Sequence, residues 1–273
     1  MKSITVSEKV IKQLLDWKEL VKKTGTHQPF VTVKDVRKMG RRYLYQCPKQ
    51  SRTVHLLSDG EFRAYQMLIW LPSTLEIREQ IPLDLNHTLR IAATSGITHP
   101  RDWKSNTAYV MSTDFLVTAL NAETKEKYQI AYTFKYFNTL YRRVDGEYKP
   151  YNMRTWKKLA IESAYWQERK IDYRIITEKD ASKALSFNLS WFKTEHSTNA
   201  SKHIQEEFCL NFIDSWRINN KLTIDEHLHI VMYKMNINFK FAQSLFKYVA
   251  LHRILPLDLS AKLQLHKAVR LVM

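Results

Sequence analysis

Two strand-like runs of apolar residues occupy the middle of the chain. They cover Tyr109–Leu120 and Lys127–Phe137, and a polar connection over Asn121–Lys125 joins them in the manner of a hairpin. The pattern then takes a helical period over Thr155–Arg169 and returns to a short apolar strand over Ile171–Thr177. A strand, a helix and a further strand favour a parallel crossover, so this region is predicted to be α/β with a mixed sheet.

Helical spacing predicts two more helices nearer the start of the chain. The first covers Ser7–Val21, and the second opens at Ser58 and ends near residue 70. Ser58 and Glu61 have the spacing of a capping box, in which each side chain bonds to the other residue's backbone. After this helix, Leu75–Arg78 is predicted to be a short extended segment and Ile81–Pro82 a break.

The last third of the chain has a different pattern. A polar, serine-rich stretch over Glu178–Thr198 marks a predicted domain boundary. Three short helices and a small ribbon after it resemble a winged helix-turn-helix. We therefore expect one domain over residues 1–178, with an N-terminal arm over 1–54, and a winged-helix-like domain over 179–273 that binds DNA or a partner. The predicted helices are Ile204–Trp216, Ile224–Lys234 and Phe239–Leu251, and the alternating strands are Leu255–Leu259 and Leu263–Leu265.

Charge adds a partner class to this picture. The formal net charge is +16 with a pI near 9.7, and residues 178–273 contain only 13 of the 43 basic residues. An excess of this size implies a polyanionic partner, most simply DNA, although a generically basic protein is the alternative. Cation-rich runs over Lys34–Arg42 and Lys49–Arg52 are predicted to contact phosphates or else to be solvated loops.

Composition excludes several classes. The five glycines form no P-loop or dinucleotide fingerprint, and Cys47 and Cys209 form no C-x-x-C pair, so no zinc ribbon or redox pair is expected. No signal peptide and no 18-residue apolar stretch is present, which predicts no membrane partner. A reduced, cytoplasmic location fits these features.

Candidate chemistry centres on Glu61, Asp114 and Lys135. Asp114 interrupts an apolar strand, where an acid has a desolvation cost, and Lys135 follows the next strand. On regular strands, Ser112, Asp114 and Leu116 would share one face, as Thr133 and Lys135 would on the neighbouring strand. Asp114 and Lys135 can then converge, and Glu61 would approach from the helix beside them.

Two carboxylates with another oxygen donor suit Mg²⁺, or Mn²⁺ in its place. The backbone carbonyl of Phe134 is a candidate further ligand. Such an ion polarises a phosphodiester and activates water, while a neighbouring lysine offsets the developing negative charge. In-line attack would leave a 5′-phosphate and a 3′-hydroxyl.

Each of these residues also has a simpler interpretation. Glu61 could be only the cap of its helix, Asp114 a satisfied buried acid and Lys135 a surface lysine. Glu162 is ordinarily a helix-surface glutamate. The spacing of His227 and His229 favours solvation over metal binding.

Four blocks of the sequence, in order, resemble the TnsA family, the endonuclease subunit of heteromeric bacterial transposases of the Tn-seven type. The resemblance extends over about residues 50–177. The segments Ile-Arg-Glu-Gln and Met-Ser-Thr-Asp-Phe-Leu-Val within these blocks are the specific ones. The four blocks are His55–Glu61, Leu75–Leu83, Gly96–Pro100 and Val110–Val117.

The resemblance implies a restriction-endonuclease-like catalytic domain and a winged-helix C-terminal domain. It implies an endonuclease that cuts the 5′ ends of a transposon, with the DDE transposase TnsB and the ATPase regulator TnsC as partners. Glu61 and Asp114 match metal ligands, Lys135 matches the catalytic lysine, and Glu162 matches a further acidic residue near the site. The family has Gln two positions before the lysine, where this chain has Thr133. The Thr133 side chain is shorter but keeps an oxygen, so it is a candidate further ligand. An insert is expected around Tyr141–Lys149.

Two rival functions remain open at this point. One is a non-catalytic winged-helix protein that binds or bridges DNA. The other is a stand-alone restriction-type or resolvase-type nuclease that cuts without a partner.

Overall fold

The computed structural model describes residues 4–36 and 40–272. Residues 37–39 of the predicted phosphate-contacting run and residues 1–3 of the predicted arm therefore lie outside the described residues. The chain divides into two compact units. The first contains Met1–Tyr65 and Ser73–Asp180, and the second contains Gln66–Pro72 and Ala181–Met273.

The elements of the first unit include the three strands and all three helices predicted for residues 1–178. In chain order they are α1 (Glu8–Thr24), β1 (Tyr43–Cys47), β2 (Arg52–Leu56), α2 (Asp59–Ile69), β3 (Thr74–Pro82), α3 (Leu85–Thr94), β4 (Ser112–Leu120), β5 (Lys127–Phe134), α4 (Phe137–Leu140), β6 (Tyr141–Val144), β7 (Glu147–Pro150), α5 (Met153–Gln167) and β8 (Asp172–Ile176). Helix α2 starts in the first unit, and its residues from Gln66 onwards group with the second.

The central sheet has the strand order β3-β4-β5-β8. Strands β3, β4 and β5 are antiparallel neighbours, whereas β5 and β8 are parallel. The predicted mixed sheet and the parallel crossover through α5 are therefore confirmed. One face packs against α3 and α5 through a core that includes Ile91, Leu116 and Trp166. On the other face, Phe115 contacts Tyr65 of α2, which contacts Tyr45 of the β1–β2 hairpin.

The predicted break at Ile81–Pro82 is wrong, because β3 continues through both residues. Strand β3 lies at an edge of the sheet, and Pro82 is its last residue, where the missing N–H removes no essential ladder bond. Ile81 packs against the core.

The N-terminal arm is more ordered than the sequence predicted. Strands β1 and β2 form a hairpin in which Tyr45, Cys47, Val54 and Leu56 are buried. Within the cation-rich runs, the Lys49 ammonium donates to the Thr74 carbonyl oxygen (2.7 Å), and Arg52 pairs with a buried acid of β3. Those two side chains hold the hairpin against β3, which is a structural role.

Two other parts of the first unit differ from the sequence prediction. Helix α3, capped by Asp84 through the His87 N–H, follows β3 without having been predicted. The expected insert forms the β6–β7 hairpin, which turns at Asp145 and Gly146.

The second unit consists mainly of helices, and the three predicted ones are confirmed. Phe192, Phe208, Phe212 and Phe246 are fully buried in it. The Thr223–Glu226 capping box is also present. In chain order its elements are α6 (Lys183–Phe192), a 3₁₀ turn (Lys193–Glu195), α7 (Lys202–Ile218), α8 (Ile224–Met235) and α9 (Phe239–Leu251).

The predicted C-terminal ribbon is wrong in its pairing. Among the described residues of this segment only isolated bridges occur, and Leu257 pairs with Leu271 instead of the 263–265 segment. Leu255, Leu257, Leu259 and Leu263 are each buried, and Leu265 is partly buried. The Leu255 N–H donates to the Val249 carbonyl oxygen near the end of α9, and Pro256 has no N–H. Neither residue can therefore donate a backbone hydrogen bond to a partner strand. Across the described residues, no helix has the length and apolarity needed to cross a membrane.

Candidate active site

Asp114 is held by donors from the neighbouring strand. Its Oδ2 accepts from the Thr133 hydroxyl (2.7 Å), the Phe134 N–H (2.7 Å) and the Lys135 ammonium (3.4 Å). The β4–β5 register pairs Phe115 with Tyr132, which places Asp114 opposite Thr133. Strand pairing therefore fixes the carboxylate, and these bonds offset the cost of an acid in an apolar strand. Its side chain keeps 14% exposure, enough for a ligand to reach it.

Lys135 follows directly after β5, and its backbone N–H donates to the Ile176 carbonyl of β8 (2.9 Å). Its ammonium donates to the Phe134 carbonyl oxygen (2.7 Å) and to the Thr133 hydroxyl (3.1 Å). Burial lowers the pKa of Lys135, but the charges of Asp114, Glu162 and Glu61 outweigh that effect and raise it. The side chain is therefore protonated near neutral pH.

Glu61 caps its helix and also faces the other acids. The Ser58 hydroxyl accepts from the Glu61 N–H and donates to Oε1, both at 3.1 Å, while Oε2 accepts from the Leu57 N–H (2.9 Å). Burial, and then the charge of Asp114, raise the pKa of Glu61 to about 7. The two roles that the sequence offered as alternatives are therefore both compatible with the geometry.

The first turn of α2 approaches β5 closely because residue 60 is glycine. A Cβ atom on Gly60 would lie 1.8 Å from the Phe134 ring, a distance that no two non-bonded carbons can adopt. The ring is itself buried and packs edge-on against Tyr136, with 5.1 Å between centroids. The missing side chain thus lets Glu61 reach the strand that carries Phe134 and Lys135.

Gln80 is a buried member of the site that the sequence analysis missed. Its amide nitrogen donates to Glu61 Oε2 (3.2 Å), and its amide oxygen accepts from the Ser112 hydroxyl (3.1 Å). Its φ of 50° lies in the left-handed region that disfavours residues other than glycine. The Phe30 N–H donates to its carbonyl (3.0 Å) and helps to hold this conformation. Glu76, Arg78 and Glu79 lie on the same strand, so residue type alone gave no signal that singled out Gln80.

The left-handed backbone of Gln80 changes the face of the sheet to which the following side chains of β3 point. Glu79 bonds to the β1–β2 hairpin side, whereas Ile81, two residues later, packs against the α3–α5 core. Residues two apart on a regular strand share a face, so alternation is interrupted at Gln80. It is interrupted on β4 as well, because Thr113 and Leu116 both meet α5. The single face predicted for Ser112, Asp114 and Leu116 is therefore not regular.

Glu79 is buried on the opposite side and has a structural role. It forms two bonds to the Arg52 guanidinium (2.9 and 2.6 Å) and accepts from the His55 N–H (3.2 Å). Burial raises the pKa of Glu79, but hydrogen bonds from His27 and Arg52 outweigh it and hold the pKa at about 2. This carboxylate ties the hairpin and the preceding loop to β3.

Glu162 is buried in the structure, so the interpretation as a helix-surface residue is wrong. Its Oε1 accepts from the Thr113 hydroxyl (2.8 Å), which in turn accepts from the Trp166 indole N–H (2.7 Å). Burial, and then the charge of Asp114, raise the pKa of Glu162 to about 7. It is thus electrostatically part of the same group of acids.

The charge of Asp114 raises the pKa of both Glu61 and Glu162, so these carboxylates form a chemically suitable environment for a divalent cation. Among the described residues no cluster of three or more His, Cys, Asp or Glu side chains has metal-binding spacing. A site here would therefore combine Glu61 and Asp114 with the Phe134 carbonyl oxygen, and the residues fit such an ion. The Thr133 hydroxyl is engaged with Asp114 and Lys135.

Elsewhere, His227 is buried against the Ser215 hydroxyl (2.8 Å), so its predicted solvation is wrong.

A mixed sheet with an acid and a lysine on adjacent strands, and a second acid on a helix beside them, is typical of α/β nuclease domains. Residues 71–178 match the family described as TnsA-like endonuclease N terminal. The chain is also 36% identical over 170 residues to the Transposon Tn7 transposition protein TnsA of Escherichia coli. These matches confirm the resemblance that was drawn from the sequence.

The two matches have defined extents. The family match contains Asp114, Lys135 and Glu162, whereas Glu61 lies before its first residue. The match to the Escherichia coli protein covers 61% of this chain and 57% of that relative, so the chain spans a little over half of the relative's length.

Proposed function

We propose that this chain is a divalent-metal-dependent DNA endonuclease, the nuclease subunit of a transposase that cuts the 5′ ends of a transposon during excision. The observation that carries the proposal is the fixed position of Asp114 beside protonated Lys135, with Glu61 close enough for its charge to interact with both. The TnsA-like domain and the transposition protein among its relatives supply the biological setting.

Glu61, Asp114 and the Phe134 carbonyl oxygen would hold the cation, which we propose to be Mg²⁺ with Mn²⁺ as a substitute. When bound, the ion polarises the scissile phosphate and lowers the pKa of water. Thr133 and Glu162 are possible further ligands, either directly or through water. Their bonds to Lys135 and Thr113 suit a role in orienting the primary ligands.

Lys135 contributes a positive charge in this mechanism. Because its pKa is raised, the ammonium donates hydrogen bonds and offsets charge on the phosphate, and it is not a proton acceptor at neutral pH. Gln80 anchors the Glu61 carboxylate through its amide, so that Glu61 stays directed at the site. In-line attack by water would leave a 5′-phosphate and a 3′-hydroxyl.

The remaining proposals concern architecture and partners. We propose a restriction-endonuclease-like fold for residues 1–178 and a winged-helix-like role for residues 179–273, supported by helices α7, α8 and α9. The second domain would bind DNA or protein. Following the family resemblance, TnsB would act on the 3′ ends and TnsC would regulate the complex. A DNA substrate of this kind implies a bacterial cytoplasmic location.

The test is cleavage of transposon-end DNA with Mg²⁺ and the cognate DDE transposase, resolved strand by strand on a denaturing gel. Asp114→Ala should remove only the 5′-end cut. Asp172→Ala, which alters a 71% exposed aspartate of β8, is the matched control and should cut normally. Unchanged 5′ cutting by Asp114→Ala would refute the assignment.

The cleavage gel and a transposition assay of the same variant separate the rival functions. Sequence-specific cutting without any transposase partner would favour a stand-alone nuclease. Intact transposition with Asp114→Ala would favour a non-catalytic DNA-bridging protein.

A further inference from the structure

A basic and aromatic cavity lies in the first unit, between the segment that leads into β4 and the first half of α5. Its volume is about 720 Å³. Among the described residues that line it, four are Arg or Lys and none is Asp or Glu. Such a lining attracts a polyanion and offers aromatic surface to it at the same time. The residues that matter for the argument are Arg101, Trp103, Tyr109, Arg154, Lys157 and Lys158.

Trp103 is the most unusual of these residues because 82% of its surface is exposed. It lies in a turn organised by Asp102, whose Oδ1 accepts from the Lys104 N–H (3.0 Å) and the Ser105 N–H (2.8 Å). The Tyr109 hydroxyl donates to Asp102 Oδ2 (3.2 Å). These bonds engage the nearby carboxylate and fix the turn. The indole is therefore presented to solvent by an ordered backbone, as a stacking platform requires.

Cations continue from the cavity toward the candidate active site along α5. Arg154, Lys158 and Glu162 are four residues apart, so they follow one side of the helix in steps of about 6 Å. The charge of Lys158 acts directly on Glu162, whose carboxylate adjoins the site. On the other side, Tyr109 precedes Ser112 and Asp114 on the same chain segment. Lys158, which lines the cavity, is thus close enough to Glu162 for their charges to interact.

We propose that this cavity binds a single-stranded DNA segment flanking the scissile phosphate, with an unpaired base stacked on Trp103 and phosphates held by Arg101, Arg154 and Lys157. The proposal rests on the proposed function, because it names the path of the same substrate. Exposed aromatic rings interleaved with cations are how proteins bind single strands without reading sequence. An acidic peptide would use the cations but would not need an exposed indole.

The test measures binding in EDTA, so that it does not depend on cutting. Fluorescence anisotropy compares the full chain on a duplex with a single-stranded overhang and on the matching blunt duplex. Trp103→Ala should weaken binding to the overhang by roughly 5- to 100-fold, the range expected for losing one base–aromatic stack, and should leave the blunt duplex unchanged. Trp103→Phe should retain most of the affinity. Arg154→Ala combined with Lys157→Ala should flatten the salt dependence.

Tyr128→Ala and Lys127→Ala are matched controls, since both residues are exposed at the end of β5 far from Lys135. Equal affinity of wild type and Trp103→Ala for the overhang would overturn this inference alone. Equal weakening on both DNAs would overturn the stacking role. If Arg154→Ala combined with Lys157→Ala lost binding to polyglutamate but kept the wild-type affinity for DNA, the inference would be overturned in favour of an acidic protein partner. A wild type that binds neither DNA would instead contradict the proposed function.

Discussion

Glu162→Gln should stabilise the metal-free protein, and by an amount that depends on pH. The pKa of Glu162 is raised from 4.5 to about 7, because of burial and the charge of Asp114. Between those values the folded state keeps a proton that the unfolded chain has released, so wild-type stability falls as pH rises through this window. At 1.36 kcal/mol per pH unit the loss is roughly 3 kcal/mol. Glutamine removes the charge yet still offers an oxygen to the Thr113 hydroxyl.

The assay is thermal unfolding in EDTA, followed by circular dichroism at pH 5 and pH 8. At pH 8 the variant should melt roughly 6–12 °C above wild type, as a change of this size gives in a domain of 150–250 residues. At pH 5 the two should nearly coincide. Glu123→Gln, an exposed change in the β4–β5 connection, should follow wild type at both values. A variant that is destabilised equally at pH 5 and pH 8 would refute the reasoning, because ionisation of Glu162 would then not destabilise the folded state.

Three further predictions concern the residues around the acids. Gly60→Ala should lower the free energy of unfolding by about 1–3 kcal/mol through overpacking against Phe134, and it should reduce cleavage. Chemical denaturation and a cleavage time course measure the two effects, and a variant as stable as wild type would contradict the close approach of α2 to β5. Glu79→Gln should lower the free energy of unfolding by about 3–5 kcal/mol, because it leaves the Arg52 charge unpaired. The wild-type protein should also lose stability as the pH falls from 4.5 toward 2, and a free energy of unfolding that stays constant over this range would contradict the role of Glu79. Gln80→Gly should keep the left-handed backbone yet weaken Mn²⁺ binding roughly 10-fold, measured by titration calorimetry, and unchanged affinity would rule out the anchoring role.

The candidate site was predictable where residue type and strand order were sufficient. An acid inside an apolar strand and a lysine after the next strand meet because adjacent antiparallel strands bring the two positions together, and the β4–β5 register does so. Glu61 could be placed because Ser58 and Glu61 mark the start of its helix.

Gln80 could not be found in this way. Its left-handed backbone depends on bonds from residues far away in sequence, including the Phe30 N–H, and no local pattern encodes them. The reversal of facing at Gln80 also defeats any argument from strict alternation.

The fold shows the same division between local and long-range information. Helices with a strong period, such as α8 and α9, were predicted within a residue or two. The C-terminal ribbon was not, because alternating leucines indicate alternate burial without specifying a partner strand. Helix α3 was missed because a break was assigned at Pro82, although Pro82 only ends an edge strand.

Mn²⁺ binding, followed by electron paramagnetic resonance on the full chain, tests the central claim most directly. One bound ion that Mg²⁺ displaces is expected for wild type. Glu61→Gln and Asp114→Asn should lose it, whereas Lys135→Met should keep the ion and lose cleavage. Undiminished Mn²⁺ binding by Asp114→Asn would contradict the claim that these residues form a metal-dependent nuclease centre.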